Sequence, residues 1–329
     1  MSHKTFILTV LSLASLATAH SGEIFNKKEH MEELANTHAV AEVNAREFEI
    51  CHSRPDIERR ERAVARRAAT FARLRKANGL NDDTFLHRRE ASSLRQWSAN
   101  SRNKSSLKYT KDTPTAELFG SNASCILTPD DANGTYFVYQ EHIRSNVVEN
   151  VQGCPHAFGA AINRRKYVQA SQRANRYLGG LATTYLRGVQ PTDADGVVNF
   201  DTLFPGHLQG RATQQHIIAH VGSKVLDSGT YTGGQVAHLS QLFFDQVLID
   251  TIEATAPYNT NRIAKTSNLA DWFTGYAASP KYDPFPNYTM QGSGVSGGMF
   301  VWAELGTNIS SNWDYYAPYA STWKERWWL

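Results

Sequence analysis

Cysteine is scarce in this 329-residue chain: only Cys51, Cys125 and Cys154 are present, which allows at most one internal disulfide and excludes a multi-bridge scaffold. Charge of one sign is also scarce. The formal net charge of +3 is too small to imply a nucleic-acid partner. Long hydrophobic runs are missing as well. The longest, Phe6 to Leu16, falls short of the roughly 20 apolar residues that span a bilayer, and no later stretch reaches that length, so no membrane partner is expected. Internal repeats and low-complexity tracts are absent.

The amino terminus carries Lys4, that apolar run and the triplet Ala17-Thr18-Ala19, the layout of a signal peptide cut after Ala19. The expected product is secreted, extracellular and soluble. An oxidising compartment favours one disulfide among the three cysteines, with the pairing left open. Five Asn-x-Ser/Thr triplets, at Asn103, Asn122, Asn133, Asn287 and Asn308, are candidate glycan acceptors on that route.

Beyond the signal peptide (1–19) the composition divides the chain. Residues 20–91 are rich in Ala, Glu and Arg and predict helix, with Gly79 as a C-cap. Basic residues crowd this region from Arg54 to Lys76, interleaved with Glu58, Glu61 and alanines. Such a mixed run predicts a solvated helical face, with a polyanion contact as the alternative. Residues 92–122 read as a linker, rich in Ser, Asn, Lys and Thr. From 123 to 310 short apolar runs alternate with turn signals such as Asp195-Gly196, Pro205-Gly206 and Gly233-Gly234, which predicts a β-sandwich. Residues 311–329 form a C-terminal tail. The fold class is therefore mainly β, preceded by an N-terminal helical region. One stretch resists the pattern: Ala161 to Gly180 is basic, rich in Ala and Gln, and reads as helical or irregular.

The stretch from Gln190 to His220 carries most of the functional information. On a strand the side chains alternate between faces, so Gln214, His216, Ile218 and His220 share one face. A ligand pair at i and i+2 would fall on 214 and 216, and only 216 is a histidine.

The segments Cys125-Ile-Leu-Thr-Pro129, His142-Ile-Arg-Ser-Asn146, Tyr185 to Gly196, Phe200 to His207, Gly210-Arg-Ala-Thr213, Thr232-Gly-Gly234, Gln241 to Asp245 and Tyr258-Asn-Thr-Asn261 resemble, as an ordered set, the secreted fungal branch of the intradiol ring-cleavage dioxygenases, the protocatechuate and catechol dioxygenases' family. The resemblance implies a β-sandwich holding a non-heme Fe(III) between two tyrosines and two histidines. Ferric iron is a hard cation, so phenolate oxygens suit it and imidazoles complete the set. It also implies an aromatic diol and O2 as partners, with cleavage between the hydroxyl-bearing carbons to a muconate-type diacid. Arg211 falls on the family's active-site arginine, which steadies charge on the substrate. Gln241 matches a glutamine near the site, and His216 falls on the second ligand histidine.

The other ligand positions depart from the family. Gln214 stands where the first ligand histidine is expected and Leu208 where the second ligand tyrosine is expected. The first ligand tyrosine would lie between Val151 and Thr184, where the family's neighbouring residues are missing; Tyr167 is the nearest candidate, with Tyr177 behind it. His207 and His220 are candidate substitute nitrogens. These departures leave three readings besides an active enzyme: impaired or lost activity, a non-catalytic binding module on the same fold, or a misread transcript over 151–184. A fourth, a copper polysaccharide oxygenase, rests on His20 as the residue following the cleavage site.

Overall fold

The structure is a computed structural model that describes residues 57–77, 102–103, 113–119, 138–148, 155–162, 167–171, 186–207, 210–271, 283–292, 294–314 and 321–322, with a few single positions between them. The signal-peptide segment, His20, all three cysteines, Asn122, Asn133, Tyr177 and Leu208 lie outside the described residues. For 155–162 and 167–171 the backbone alone is described.

Two four-stranded sheets make the sandwich expected from the sequence. The strands in chain order are β1 (Val138–Tyr139), β2 (Pro155–Ile162), β3 (Tyr167–Ser171), β4 (Arg187–Pro191), β5 (Val197–Leu203), β6 (Gln214–Val221), β7 (Lys224–Val225), β8 (Tyr231–Thr232), β9 (Gln235–Phe243), β10 (Asn287–Met290), β11 (Met299–Leu305) and β12 (Ser321–Thr322). One sheet has the order β10-β11-β2-β5, the other β4-β3-β6-β9, and β1-β12 and β7-β8 are short ribbons. Pairing within the two large sheets is antiparallel except for β11 with β2. The stretch read as helical or irregular contains the end of β2 and all of β3. Pairing to neighbours on both sides of each strand overrides the weak β-propensity of Ala and Gln there.

Period-two alternation builds the core. Val198 and Phe200 of β5, Met299 and Val301 of β11, and Ile217 and Ala219 of β6 meet between the sheets. Leu248, Ile249 and Ile252 of helix α3 (Gln246–Glu253) join the same cluster. Asp245 starts that helix: its carboxylate accepts the Leu248 N–H at 2.7 Å, satisfying one of the amides that a helix leaves unpaired. A segment outside the sheets closes one side of the sandwich, with Ile143 bridging Val189 of β4 and Asn146 bridging Asp201 of β5. Glu141 fixes this seam through a fully buried ion pair with Arg187, Oε2 to Nε at 2.8 Å. Gly188 has to be a glycine, because a Cβ there would come within 2.7 Å of Val147 Cγ1.

Helix α1 (Ile57–Ala77) and the short α2 (Thr115–Phe119) cover the outer face of β11. Gly79, at φ +67°, follows α1 and donates to Lys76 O, the expected left-handed C-cap. Phe71 and Phe119 pack on Phe300 and Trp302, with Phe71 and Phe119 edge to face at 5.7 Å. The basic run is thus only partly a solvated face. Arg67 is buried and binds Glu304 and the Phe119 carbonyl, while Arg66 and Arg62 bind Asp195 in the β4–β5 turn. Arg75 lies over the Phe71 ring at 5.7 Å and donates to Gln291 O. The residues expected as a linker include α2 and the pair Arg102–Asn103, which runs beside β10.

Removing Arg67 strands Glu304 at a mostly covered position. Arg67→Ala should lower the unfolding free energy by about 3 kcal/mol, whereas Arg73→Ala, on the exposed side of α1, should cost under about 0.5 kcal/mol. Urea denaturation of the two variants distinguishes a docked helix from a detached one.

Candidate functional site

β6 lies between β3 and β9, and seven of its eight residues are buried. Its even positions carry the residues singled out in the sequence. The Gln214 side-chain nitrogen stands 3.1 Å from His216 Nε2, so the amide donates to the ring nitrogen. Across the strand pair His216 faces Gln241 of β9 in register. Gln241 Oε1 in turn accepts from the terminal nitrogen of Arg211. Gln214 with His216 and Gln241 with Arg211 are therefore two hydrogen-bonded pairs set side by side in register across β6 and β9, together one buried polar group.

Asp271 completes it. Its carboxylate accepts from Arg211 Nε at 3.2 Å and from the Ala212 amide at 2.7 Å, with the side chain wholly buried. Arg211 thus meets a neutralising partner on one edge and Gln241 on another. The sequence around Asp271 gives no sign of this role, because its partners lie about sixty residues earlier in the chain.

The turn leading into β6 is pinned to the segment after α3. Tyr258 donates to Phe204 O at 2.8 Å, Asn261 to His207 O at 3.2 Å, and Gly210 N to Thr266 Oγ1 at 2.8 Å. His207 has both ring nitrogens engaged, Nδ1 with Glu253 Oε2 at 2.7 Å and Nε2 with Ile263 O at 2.7 Å. It serves as a brace for this turn, and neither nitrogen is left to replace a missing ligand.

His220 is also committed elsewhere. It is buried against the Tyr231 ring, centroids 5.2 Å apart, and burial pushes its pKa down to about 4 despite the opposing pull of Asp314. Burial also raises the Tyr231 phenol well above its usual value. Tyr167 stands in register with His220 and Ser171 with His216. The register therefore places Tyr167 four positions along the strand from His216, about 13 Å at strand rise.

Among the described residues this group does not fit a ferric centre of the expected kind. Among the described residues the donors placed around His216 are one imidazole and two neutral amides, and the imidazole nitrogen accepts from Gln214. Gln214 Oε1 is buried with no hydrogen-bond partner, so a cation-directed acceptor is present, yet no anionic oxygen joins it in this group apart from Asp271, which is spent on Arg211. Among the described residues no cluster of three or more His, Cys, Asp or Glu is placed to hold a metal ion.

A mainly β sandwich with a polar group centred on β6 is the class that fold and site define. The chain is similar in structure to intradiol ring-cleavage dioxygenases. An intradiol ring-cleavage dioxygenase from Tetranychus urticae is 25% identical, the match covering 58% of this chain and 97% of that one with a TM-score of 0.47. The dioxygenase domain of a dioxygenase carbohydrate-binding protein fusion from Streptomyces sp. SirexAA-E is 19% identical over 56% of this chain and 99% of that one, TM-score 0.38. Hydroxyquinol 1,2-dioxygenase from Pseudomonas putida DLL-E4 is 12% identical over 59% and 70%, TM-score 0.37. No family model and no curated protein matches the chain. The likenesses are partial, and the chemistry of this chain is set by its own residues.

The buried His220 makes stability depend on acid. Its folded pKa of about 4 lies below the ordinary 6.5, so between those values the unfolded chain takes up a proton that the folded chain refuses. The neutral ring's contribution is complete above pH about 6.5 and declines as pH falls towards 4, by up to about 3 kcal/mol. His220→Phe should flatten the pH dependence of the urea midpoint between pH 6.5 and 5, which equilibrium unfolding across that range would measure.

Proposed function

We propose that this chain is a secreted protein of the intradiol dioxygenase type in which ferric ring cleavage of catechol-type diols is lost, the sandwich persisting as a non-catalytic module. The observation that carries this reading is the Gln214 amide nitrogen 3.1 Å from His216 Nε2, on the face where the family's two ligand histidines would converge. An amide that donates to the imidazole lone pair competes with a metal for it. A glutamine in place of histidine and a leucine at 208 remove two donors, one of them anionic. Disturbing only the groups that support metal ligands typically costs about 10 to 100-fold in affinity or activity. Losing two ligands outright costs more.

Arg211 and Gln241 fit the same reading. In the family these positions attend the substrate, whereas here Arg211 is shared between Asp271 and Gln241. The electrostatic help that an arginine gives to a charged aromatic is thereby largely consumed within the protein. The leader-like first 19 residues and the glycan-acceptor triplets support the secretory route.

Iron analysis and an absorption spectrum of the secreted, full-length protein test the reading. The expected result is a colourless protein with iron far below one equivalent and no ring-opened diacid from catechol or hydroxyquinol. A visible ferric tyrosinate band, or turnover of either diol, overturns it. Restoring donors should act in the opposite direction: the double variant Leu208→Tyr, Gln214→His should raise iron affinity by at least about 10-fold, read by equilibrium competition with a chelator.

A further inference from the structure

Gln215 and Ser240 are polar residues on the core side of the β6–β9 pair. Gln215 stands opposite Leu242 in register, and Ser240 stands opposite Ile217. Opposed residues and residues two apart share a face, so Gln215 and Ser240 are diagonal neighbours on the side where Ile217 and Leu242 enter the core. Each is only 1% exposed, and Thr213, two residues before Gln215, is 3% exposed, which shuts out bulk solvent. Yet both atoms of the Gln215 amide, the Ser240 hydroxyl and the Thr213 hydroxyl are buried without a hydrogen-bond partner. The polar group around His216 does not account for them, because Gln214 and His216 lie on the opposite face of β6 and bond each other.

Buried polar groups in folded proteins are nearly always hydrogen-bonded, so four such atoms gathered on one patch require a common partner. None of the three side chains carries a charge. The amide offers two N–H donors and a carbonyl acceptor, and each hydroxyl both donates and accepts, a set that matches a small neutral molecule able to do both. Diagonal neighbours in a sheet stand about 7 to 8 Å apart at the backbone, and a water spans what their side chains leave open. We propose that Gln215, Ser240 and Thr213 line an internal hydration site between the sheets. One ordered water accepts from the Gln215 amide nitrogen and donates to Ser240 Oγ, linking β6 to β9 by side chain. A second donates to Gln215 Oε1 and accepts from the Thr213 hydroxyl. These waters are integral to the fold, as internal waters with several polar partners are. The site lies across β6 from His216, so it is independent of whether ferric chemistry is lost.

The test is a crystal structure of the full-length protein at a resolution that shows ordered water, together with magnetisation transfer from water to the Gln215 side-chain amide protons by NMR. The expected result is density for water within hydrogen-bond distance of the Gln215 amide and Ser240 Oγ, with transfer of the sign that marks a long-lived bound water. Ser240→Ala should weaken that transfer severalfold, while Ser228→Ala, at an exposed turn, should leave it unchanged. Gln215→Leu and Ser240→Ala should each lower the urea midpoint, and the double variant should lower it by less than the two shifts added, since either change alone strands the other partner. The wild-type measurements decide the matter even if Gln215→Leu folds poorly. Empty density with no transfer overturns the inference, as does a Gln215 amide bonded directly to a protein group. An ion at the site, recognised by anomalous scattering, overturns water as the occupant, and additive midpoint shifts overturn the bridge between the strands.

Discussion

A strand paired on both sides and packed on both faces has no water to satisfy its polar side chains, and β6 is such a strand. Every donor and acceptor placed on it must find a partner inside the protein or cost about 1 to 3 kcal/mol. Ile217 and Ala219 meet the requirement by being apolar and joining the core. Gln214 and His216 meet it through each other, and beside them in register Gln241, Arg211 and Asp271 form a second hydrogen-bonded chain. His220 lies against the Tyr231 ring, and its burial favours the neutral form over a charged one. The polar group at the centre of the sandwich follows from this constraint.

The same logic governs the arginine-rich helix outside the sandwich. β11 has aromatic residues on its outer face, Phe300 and Trp302, that would be exposed without a cover. Helix α1 supplies Phe71 at the contact, and its arginines reach past the aromatic patch to carboxylates and carbonyls around it. A guanidinium suits this position because its long stem packs on apolar surface while its head finds an acceptor. Asp195 shows the consequence, its carboxyl held below the usual carboxylate range chiefly by the Arg66 hydrogen bond.

Much of this was legible in the sequence, and the exceptions share a cause. Alternation identifies β5, β6 and β11, and glycine chemistry identifies the Asp193 to Gly196 turn and the end of α1. These are local signals. The strands β2 and β3 were not legible, since Ala, Gln and Arg prefer helix and only pairing with distant strands holds them extended. The docking of α1 was equally hidden, because a mixed charge run looks the same whether its partners are solvent or carboxylates more than a hundred residues away. In the site, the spacing of Arg211, Gln214 and His216 could be read directly. Asp271, Glu253 and the register of Tyr167 opposite His220 could not, because each depends on long-range folding.

The departure from the ligand pattern at 214 makes physical sense on the proposed reading of a site without a cation. In a ferric site, anionic phenolates and the cation neutralise one another, so their burial is tolerable. Without the cation, a second histidine at 214 would set two imidazoles side by side on one strand face with only one proton easily shared between them. Glutamine avoids this, since its amide donates to the remaining ring nitrogen without adding charge. Its cost is a carbonyl oxygen left unpaired, smaller than that of an uncompensated buried charge.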